Sequence, residues 1–362
     1  MKSLVFYVTN DLTYDQRMQR ICNSMAHAGY HVILVGRKLP SSAPLPIFSF
    51  EQKRLYCFFT TGKLMYAEYN FRLFLYLLFV KADLFCAIDL DTILPIYFAS
   101  KIRGKKRVYD AHELFTEQKE IVTRPAIQKM WLRVEKFAIP KFLHGYTVNN
   151  FIAEEFKRRY GVDYGIVRNL PQYKAGIPSQ PEQPPFIIYQ GAVNEGRSFE
   201  TLVPAMATVI GKLVVCGEGN FFNQLKALIN KHDLANKIEL RGYVSPGELA
   251  ALTPKATVAV MLFENNGLNQ YYSLANRFFD YIMAGIPQVC VDFPEYKKLN
   301  DQYHVAYMIP DTQVKTIAEA LNNLLNDTVL YSNLKENCLK AREVLNWEHE
   351  EKVLLAFYKT LL

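Results

Sequence analysis

The chain has 362 residues, a length that favours two α/β domains over one. Half of its residues are hydrophobic and 21% are charged, a balance that excludes a disordered or fibrous protein. The net charge is +7, with 25 Lys and Arg against 15 Asp and Glu in residues 1–170, and 17 against 20 in residues 171–362. The basic first half suggests an anionic partner, such as a phospholipid surface or a phosphate-linked acceptor, and ordinary surface variation is the alternative.

Strand-like and helix-like segments alternate through the first half of the chain. Short apolar runs predict strands at LVFYVTN, HVILVG, DLFCAID, KRVYDA and GYTVNN, and helical periodicity lies between them, at 15–28, 92–102 and 151–160 among others. This alternation is typical of βαβ units and a parallel sheet. At the N-terminus only a short apolar run precedes Asn10 and Asp11, so we expect a first strand and no signal peptide.

The cysteines and the apolar runs indicate the compartment. Six cysteines are scattered singly without a CxxC spacing, as expected of reduced core residues in a cytoplasmic protein. The longest interior apolar run, FLYLLFV at 74–80, is far shorter than the ~20 residues of a spanning helix. We therefore expect a cytoplasmic protein without a transmembrane segment and without a nucleic-acid partner.

Residues 127–137, IQKMWLRVEKF, are the segment best suited to contact a membrane. Ile127, Met130, Trp131, Val134 and Phe137 line one face of the predicted helix, and basic side chains line another. Such a stripe suits both a helix on anionic lipid and a helix packed on a core, and both interpretations stay open. The basic run KIRGKKR at 101–107 precedes a strand, so we expect a solvated turn at the end opposite any ligand cleft.

A proline-rich break divides the chain. Residues 171–185 contain five prolines and no apolar periodicity, which predicts a linker between domains at 1–170 and 186–346. After it the alternation restarts with PFIIYQG, KLVVCGEG, KIELRGYV, ATVAVMLF and PQVCVD, so we predict an α/β fold with two Rossmann-like parallel-sheet domains. The tail at 347–362 has apolar residues at helical spacing, which predicts a docking helix; these are Val353, Leu354, Phe357 and Leu361.

Charged residues cluster at the predicted strand ends of the first half. VYDAHELFTE places His112 and Glu113 directly after a strand, where ligands meet parallel sheets. A neutral imidazole there can hydrogen-bond a hydroxyl, although a lone histidine is often structural. Asp89 and Asp91 form an Asp-x-Asp pair, but this spacing is common by chance and Asp91 fits a helix N-cap, so we predict no metal site.

The strand-turn-helix segment YQGAVNEGRSF in the second half suits phosphate binding. A predicted strand ends at Gly191, and the following loop brings Arg197 to the start of a helix. A guanidinium group and the N–H groups of a helix N-terminus both favour a diphosphate, although Arg197 also suits a simple surface role. Two more strands end at glycine turns, at Gly217 and Gly242.

The segment at 271–295, YYSLANRFFDYIMAGIPQVCVDFPE, is the most informative in the chain. It predicts a helix that begins near Ser273 and stops at Gly285. Asp280 lies in this helix, and a carboxylate facing a cleft is a good acceptor for two vicinal hydroxyls, with a solvated aspartate as the alternative. The segment resembles the nucleotide-binding signature of glycosyltransferase family 4, in which an acidic residue precedes an Ala-Gly-Pro-type turn.

This resemblance extends over nearly the whole chain and implies the GT-B architecture, with an acceptor domain, a donor domain and a cleft between them. It implies that Asp280 contacts the donor ribose, that Arg197 binds the diphosphate, and that His112 contacts the donor sugar, so these three form the expected catalytic set. The other implied donor contacts are Gly191, Gly217, Glu218, Tyr243, Val244, Tyr272, Ser273 and Asn276. The implied acceptor contacts are Asp15, Arg17, Asp89 and Glu113, with Asp15 also suited to cap the first helix.

The chain departs from the family pattern at two positions. Tyr272 stands where the family has a second carboxylate, so it either contacts the donor sugar or is a packed aromatic. Ala192 stands where the family has a second arginine, which leaves one cation fewer for the diphosphate.

The resemblance implies a metal-independent hexosyltransferase that needs no cofactor. It moves a sugar from a UDP- or GDP-sugar to a hydroxyl of a glycan or lipid-linked acceptor, with retention at the anomeric carbon, as in polysaccharide biosynthesis. Peripheral contact with the inner face of the membrane through the first domain is part of this expectation. Two alternatives stay open: a nucleotide-sugar 2-epimerase of the same fold and, because of Tyr272 and Ala192, a non-catalytic binding subunit.

Overall fold

The computed structural model describes residues 1–13, 15–176 and 184–362, which form two compact units. The first unit contains Met1–Asn169 and Glu350–Leu362, and the second contains Leu170–His349. Of the predicted linker at 171–185, residues 177–183 lie outside the described residues.

The first unit is built on a seven-stranded parallel sheet with the strand order β3-β2-β1-β4-β5-β6-β7. Its strands are β1 Ser3–Tyr7, β2 His31–Lys38, β3 Glu51–Tyr56, β4 Leu84–Ile88, β5 Lys106–Ala111, β6 Gly145–Thr147 and β7 Gly165–Ile166. Its helices are α1 Gln16–His27, α2 Gly62–Phe79, α3 Ile93–Arg103, α4 Lys119–Val122, α5 Pro125–Ala138 and α6 Asn150–Tyr160, with 3-10 turns at Leu90–Thr92, Phe115–Glu117 and Ile139–Lys141. The central strands are buried on both faces because helices cover both sides of a parallel sheet.

The second unit repeats this plan with a six-stranded parallel sheet in the order β10-β9-β8-β11-β12-β13. Its strands are β8 Phe186–Gln190, β9 Lys212–Cys216, β10 Ile238–Gly242, β11 Val258–Met261, β12 Gln288–Val291 and β13 Ala306–Ile309. Its helices are α7 Phe199–Ala205, α8 Phe222–Lys231, α9 Pro246–Leu252, α10 Leu268–Tyr271, α11 Asn276–Ala284, α12 Pro294–Tyr303, α13 Val314–Asn326 and α14 Thr328–Ala341, with a 3-10 turn at Thr253–Lys255. The prediction of two Rossmann-like parallel sheets is confirmed.

The last helix, α15 Trp347–Leu361, begins in the second unit and continues into the first. Within the first unit its buried face carries Leu354 and Tyr358, and the ring of Tyr358 packs against Phe6 of β1 with centroids 5.9 Å apart. Val353, predicted to belong to the apolar stripe, is 48% exposed because it faces away from the sheet.

The strand order of each sheet shows which of its edges is open to a ligand. In both sheets the direction of the connections reverses beside the first strand, between β1 and β4 and between β8 and β11. Loops that follow these strands diverge there and leave room for a ligand at the carboxyl edge of the sheet. None of the described helices is long and apolar enough to cross a lipid bilayer.

Candidate functional site

Three glycines form the carboxyl edge of the second sheet. Gly191, Gly217 and Gly242 end or follow β8, β9 and β10, with backbone N–H groups donating from Gly191 to Cys216 O at 2.9 Å and from Gly217 to Gly242 O at 2.7 Å. Gly217 has φ of +151°, and a Cβ there would collide with the carbonyl oxygen of Gly191. The end of β9 can therefore approach the end of β8 this closely only with a glycine at 217.

Arg197 lies in the loop between this edge and α7. Its guanidinium carbon is 4.4 Å from the ring centroid of Phe263, which follows β11. The loop is fixed by Gln270, whose Nε2 donates to the carbonyl oxygen of Gly196 at 2.7 Å. The helix that follows, α7, begins two residues after Arg197 and has seven residues.

Arg277, which the sequence analysis missed, supplies a second cation at the same place. It lies in the first turn of α11 and is 8% exposed, with its guanidinium carbon 4.8 Å from the centroid of Phe263 and 4.6 Å from that of Tyr189. Its Nη1 donates to the Tyr189 hydroxyl at 3.0 Å and lies 3.3 Å from where a Cβ on Gly191 would be. Arg197 and Arg277 thus lie against the same phenylalanine ring, beside the end of β8.

The charge of Arg277 is not balanced by an acidic neighbour. Among the residues that the structure describes, no carboxylate lies within 4.0 Å of its guanidinium nitrogens, and its buried Nη2 has no hydrogen-bond partner. A buried guanidinium group without a counter-ion is costly, so a site of this kind favours an anionic ligand. Arg277 of α11 thus places a buried cation beside the strand end that precedes Ala192.

Asp280 lies on α11, one turn after Arg277, and its side chain is half-buried. Gln190, the last residue of β8, donates from Nε2 to Asp280 Oδ2 at 3.1 Å and accepts from Thr253 Oγ1 at 2.7 Å. This chain of hydrogen bonds fixes the carboxylate near the glycine edge. Asp280, through Gln190, and Arg197, through the Phe263 ring that it shares with Arg277, thus both lie near the end of β8.

The helix that carries Asp280 begins later than predicted. It starts at Asn276, not near Ser273, because the Ser273 hydroxyl donates to the carbonyl oxygen of Gln270 at 2.8 Å and ends the short preceding helix α10. Asn276 is exposed in the first turn of α11. Tyr272 is half-buried, and its ring lies 5.3 Å from that of Tyr271.

Three of the implied donor contacts, Glu218, Tyr243 and Val244, lie at the far side of the glycine edge. Glu218 is exposed after β9, and its Oε1 is 3.2 Å from where a Cβ on Gly242 would be. Tyr243, after β10, is 60% exposed, whereas Val244 packs against the core. Tyr243 and Glu218 are thus accessible to a ligand, and Val244 is better placed to support their loop.

In the first unit, His112 is held between two aspartates. Its backbone N–H donates to Asp89 Oδ1 at 2.9 Å, its Nδ1 lies 3.4 Å from Asp89 Oδ2, and its Nε2 lies 3.3 Å from Asp110 Oδ2. Asp110 is fully buried and also pairs with Arg17 at 2.9 Å. His112 and Asp89 remain about a quarter exposed, so a ligand can reach them.

This arrangement shifts the pKa values of His112, Asp89 and Asp110. Burial opposes the charge on His112, but Asp89 and Asp110 outweigh it and raise the pKa of His112 to about 9. Burial raises the pKa of Asp89 to about 7, and Arg17 and His112 hold the pKa of Asp110 below its usual value despite burial. His112 is therefore a cation at neutral pH, not the neutral imidazole expected from the sequence.

The other expected acceptor residues have partners within the protein. Asp15 caps α1 by accepting from the Met18 N–H at 3.0 Å. Arg17 is 5% exposed and donates to Asp110 and to the Val167 carbonyl oxygen, so it differs from the accessible residue that was expected. Glu113 is half-buried and accepts a hydrogen bond from Gln118.

Asp91 does not cap α3 as the sequence suggested. It lies within a 3-10 turn and accepts from the Thr9 hydroxyl at 2.6 Å, while Thr92 takes the N-cap position. Within residues 1–13, 15–176 and 184–362, no three His, Cys, Asp or Glu side chains are grouped as a metal site.

One family model matches most of the second unit. Residues 175–341, which include Arg197, Arg277 and Asp280, match the model of the family described as glycosyl transferases group 1. No curated protein matches the sequence.

Solved structures share the fold across both units. Sucrose-phosphate synthase from Thermosynechococcus elongatus is 17% identical with a TM-score of 0.77, covering 100% of this chain and 99% of that one. HepE from Anabaena in complex with UDP is 12% identical with a TM-score of 0.74, covering 99% and 100%. A TarM mutant from S. aureus in complex with fondaparinux, α-GlcNAc-glycerol and UDP is 11% identical with a TM-score of 0.72, covering 100% and 99%. At these identities the structures establish a common fold.

Proposed function

Since the chain carries a glycosyl transferases group 1 domain on the GT-B fold and is a glycosyltransferase, we propose that it moves a hexose from a UDP- or GDP-sugar to a hydroxyl of a glycan or lipid-linked acceptor. The family and the hexosyltransferase class predicted from the sequence are confirmed. Retention at the anomeric carbon is part of the proposal and follows from the family resemblance.

The observation that carries the donor assignment is the pair Arg197 and Arg277 around Phe263. A diphosphate is a compact anion with many acceptor oxygens, and guanidinium groups bind such anions through paired N–H donors. Negative charge grows on this diphosphate as the bond to the sugar breaks, so the two cations also favour the transition state. Asp280 would accept from the ribose hydroxyls at the same edge.

The solved relatives supply the ligand to try first. HepE and TarM are described in complex with UDP, and HepE also with UDP-glucose. We therefore place UDP-hexoses ahead of GDP-hexoses for this chain. The backbone edge at Gly191 and Gly217 suits either nucleotide, and Glu218 and Tyr243 are the accessible side chains for contact with the base.

In the first unit we assign His112 to a hydroxyl of the substrate sugar. As a cation held by Asp89 and Asp110, it donates hydrogen bonds and does not act as a base. Arg17 is proposed to fix Asp110 and not to touch the acceptor. We further propose that the reaction needs no cofactor or metal ion. We place the enzyme in the cytoplasm, with peripheral contact of the first unit with a membrane, and assign it a role in polysaccharide assembly.

Calorimetry of donor products tests the diphosphate site. We expect Arg277→Gln and Arg197→Ala each to weaken UDP or GDP binding by roughly 1–3 kcal/mol, the scale of a lost charged hydrogen bond. Binding of the nucleosides, which lack phosphate, should change little. Arg241→Ala is the matched control, because Arg241 is exposed and pairs with the exposed Glu239. Unchanged UDP and GDP affinity in both site variants would falsify the assignment.

Turnover separates the transferase from its two alternatives. The transferase consumes a UDP-hexose and releases UDP in the presence of an acceptor, whereas a 2-epimerase yields an epimerised sugar without one. A binding subunit takes up nucleotide and shows no turnover with any acceptor of a panel. NMR of the donor with and without acceptors distinguishes the three outcomes.

A further inference from the structure

The outer face of α2 is apolar although nothing in the first unit covers it. Met65, Tyr69, Leu73 and Leu77 form its buried face. On the opposite face Phe71 is 62% exposed, Leu75 41% and Phe79 83%, at four-residue spacing. A surface helix of a monomer normally carries polar residues there, so this row indicates a binding surface.

The apolar row continues onto α3 and α5. The Arg103 guanidinium on α3 donates to the carbonyl oxygens of Leu77 and Val80 at 2.6 Å, which joins the C-terminal ends of α2 and α3. On α3, Phe98 is 45% and Ile102 67% exposed, and Phe98 lies with its ring 6.3 Å from the ring of Phe137 on α5. We call the surface formed by Phe71, Leu75, Phe79, Phe98, Ile102 and Phe137 the apolar face.

Cations surround the apolar face. Lys81 follows α2, Lys101 lies on α3 and Lys136 on α5, and all three are exposed, while Lys141 Nζ sits 3.9 Å from the centroid of the Phe137 ring. The only carboxylates in α2, α3 and α5 are Glu68, which accepts from two backbone N–H groups and from Arg72, and the buried Glu135. Lys101, the first residue of the basic run at 101–107, is thus part of the rim.

We propose that the apolar face docks the first unit onto an anionic phospholipid surface. Aromatic and aliphatic side chains enter the interfacial region, and the lysine rim binds the phosphate groups. A second copy of the chain is disfavoured because it would place two lysine rims together. This inference specifies the peripheral contact proposed above and does not depend on glycosyl transfer.

The face differs from the membrane helix considered from the sequence. In α5, Trp131 packs with its ring 5.0 Å from Phe115 and 6.0 Å from Tyr66, so this part of the stripe belongs to the core. Phe137 is the member of that stripe that joins the apolar face. The exposed side chains on α2 and α3 supply five of the six residues of the apolar face.

Co-sedimentation of the full chain with vesicles tests the proposal. We expect binding to phosphatidylcholine vesicles that contain phosphatidylglycerol, weaker binding to phosphatidylcholine alone, and a decline with rising salt. Phe79→Gln combined with Ile102→Gln should reduce binding roughly tenfold or more, since two interfacial anchors are lost. Lys101→Gln should reduce it roughly fivefold.

The control is Val329→Gln, an equally drastic change on the exposed α14 residue Val329, which is 69% exposed and lies in the second unit. Melting temperatures and UDP affinities of all variants should match those of the parent protein. Loss of vesicle binding with unchanged UDP affinity then reports on the membrane surface alone and not on the donor assignment. No binding to anionic vesicles, or equal loss in the Val329 control, would overturn the proposal. Binding only to an acidic protein, with none to vesicles, would overturn it as well.

Discussion

Asp89 shows how the backbone of a single residue can fix a catalytic candidate. It has φ of +57°, in the left-handed region that non-glycine residues rarely adopt, and its N–H donates to the Asp110 carbonyl oxygen at 3.0 Å. This conformation turns the carboxylate toward both the backbone N–H and the ring of His112. Such strain is retained mainly where the surrounding structure needs the geometry, so Asp89 is best explained as the residue that positions His112.

The raised pKa of His112 predicts a particular pH dependence of stability. Because the folded state holds the proton more tightly than the unfolded chain, the stabilisation is complete below about pH 6.5 and is lost as pH rises through about 9. The loss amounts to about 1–3 kcal/mol. In His112→Asn this decline should be much shallower between about pH 7 and pH 8, a window above the pKa of Asp89 and below the pH at which cysteine thiols of the unfolded chain ionise, and urea unfolding measures it there.

The exposed His232 provides the control for that experiment. It follows α8 in the second unit and has no carboxylate pair around it among the described residues. His232→Asn should leave the decline in place. A parent and a His112→Asn variant with the same slope would show that His112 does not hold its proton as the geometry indicates.

At the scale of elements, the sequence was most informative where periodicity and turn chemistry are local. The parallel strands, the stop of α11 at Gly285 and the glycine edge at Gly191 and Gly217 follow from runs of a few residues, so they could be predicted. Arg277 could not, because it lies in an apolar helix and gains its role from Tyr189 and Phe263, which other strands bring to it. The exposed apolar row on α2 could not be predicted either. A helix that is apolar on all sides is expected to be buried on all sides.

The buried face of α15 gives a test of helix docking. Leu354 is fully buried in the first unit, whereas its neighbour Val353 is 48% exposed. Leu354→Ala leaves a cavity and should lower the free energy of unfolding by about 2–4 kcal/mol. Val353→Ala, the control on the same helix, should cost less than about 1 kcal/mol. Equal losses in denaturant unfolding would mean that α15 does not pack as described.

At the scale of the whole molecule, the net charge of the second half has the same sign as the expected anionic donor and does not attract it. Residues 171–362 hold 17 Lys and Arg against 20 Asp and Glu, so the half that contains the donor edge is slightly acidic. Long-range attraction therefore contributes little to capture of a diphosphate there. Local cations must do so, and the buried, unbalanced Arg277 and the adjacent Arg197 are placed for it.

Cysteine labelling distinguishes which unit binds the nucleotide. All six cysteines are buried: Cys22, Cys57 and Cys86 lie in the first unit and Cys216, Cys290 and Cys338 in the second. A ligand bound only to the folded second unit raises its opening free energy by about 2.7 kcal/mol at one hundred times its Kd, which slows labelling roughly 100-fold. We expect UDP to slow the reaction of N-ethylmaleimide with Cys216 and Cys290, measured by mass spectrometry, and Arg277→Gln to reduce this protection. Slowing confined to Cys22 and Cys86 would place the nucleotide in the first unit instead.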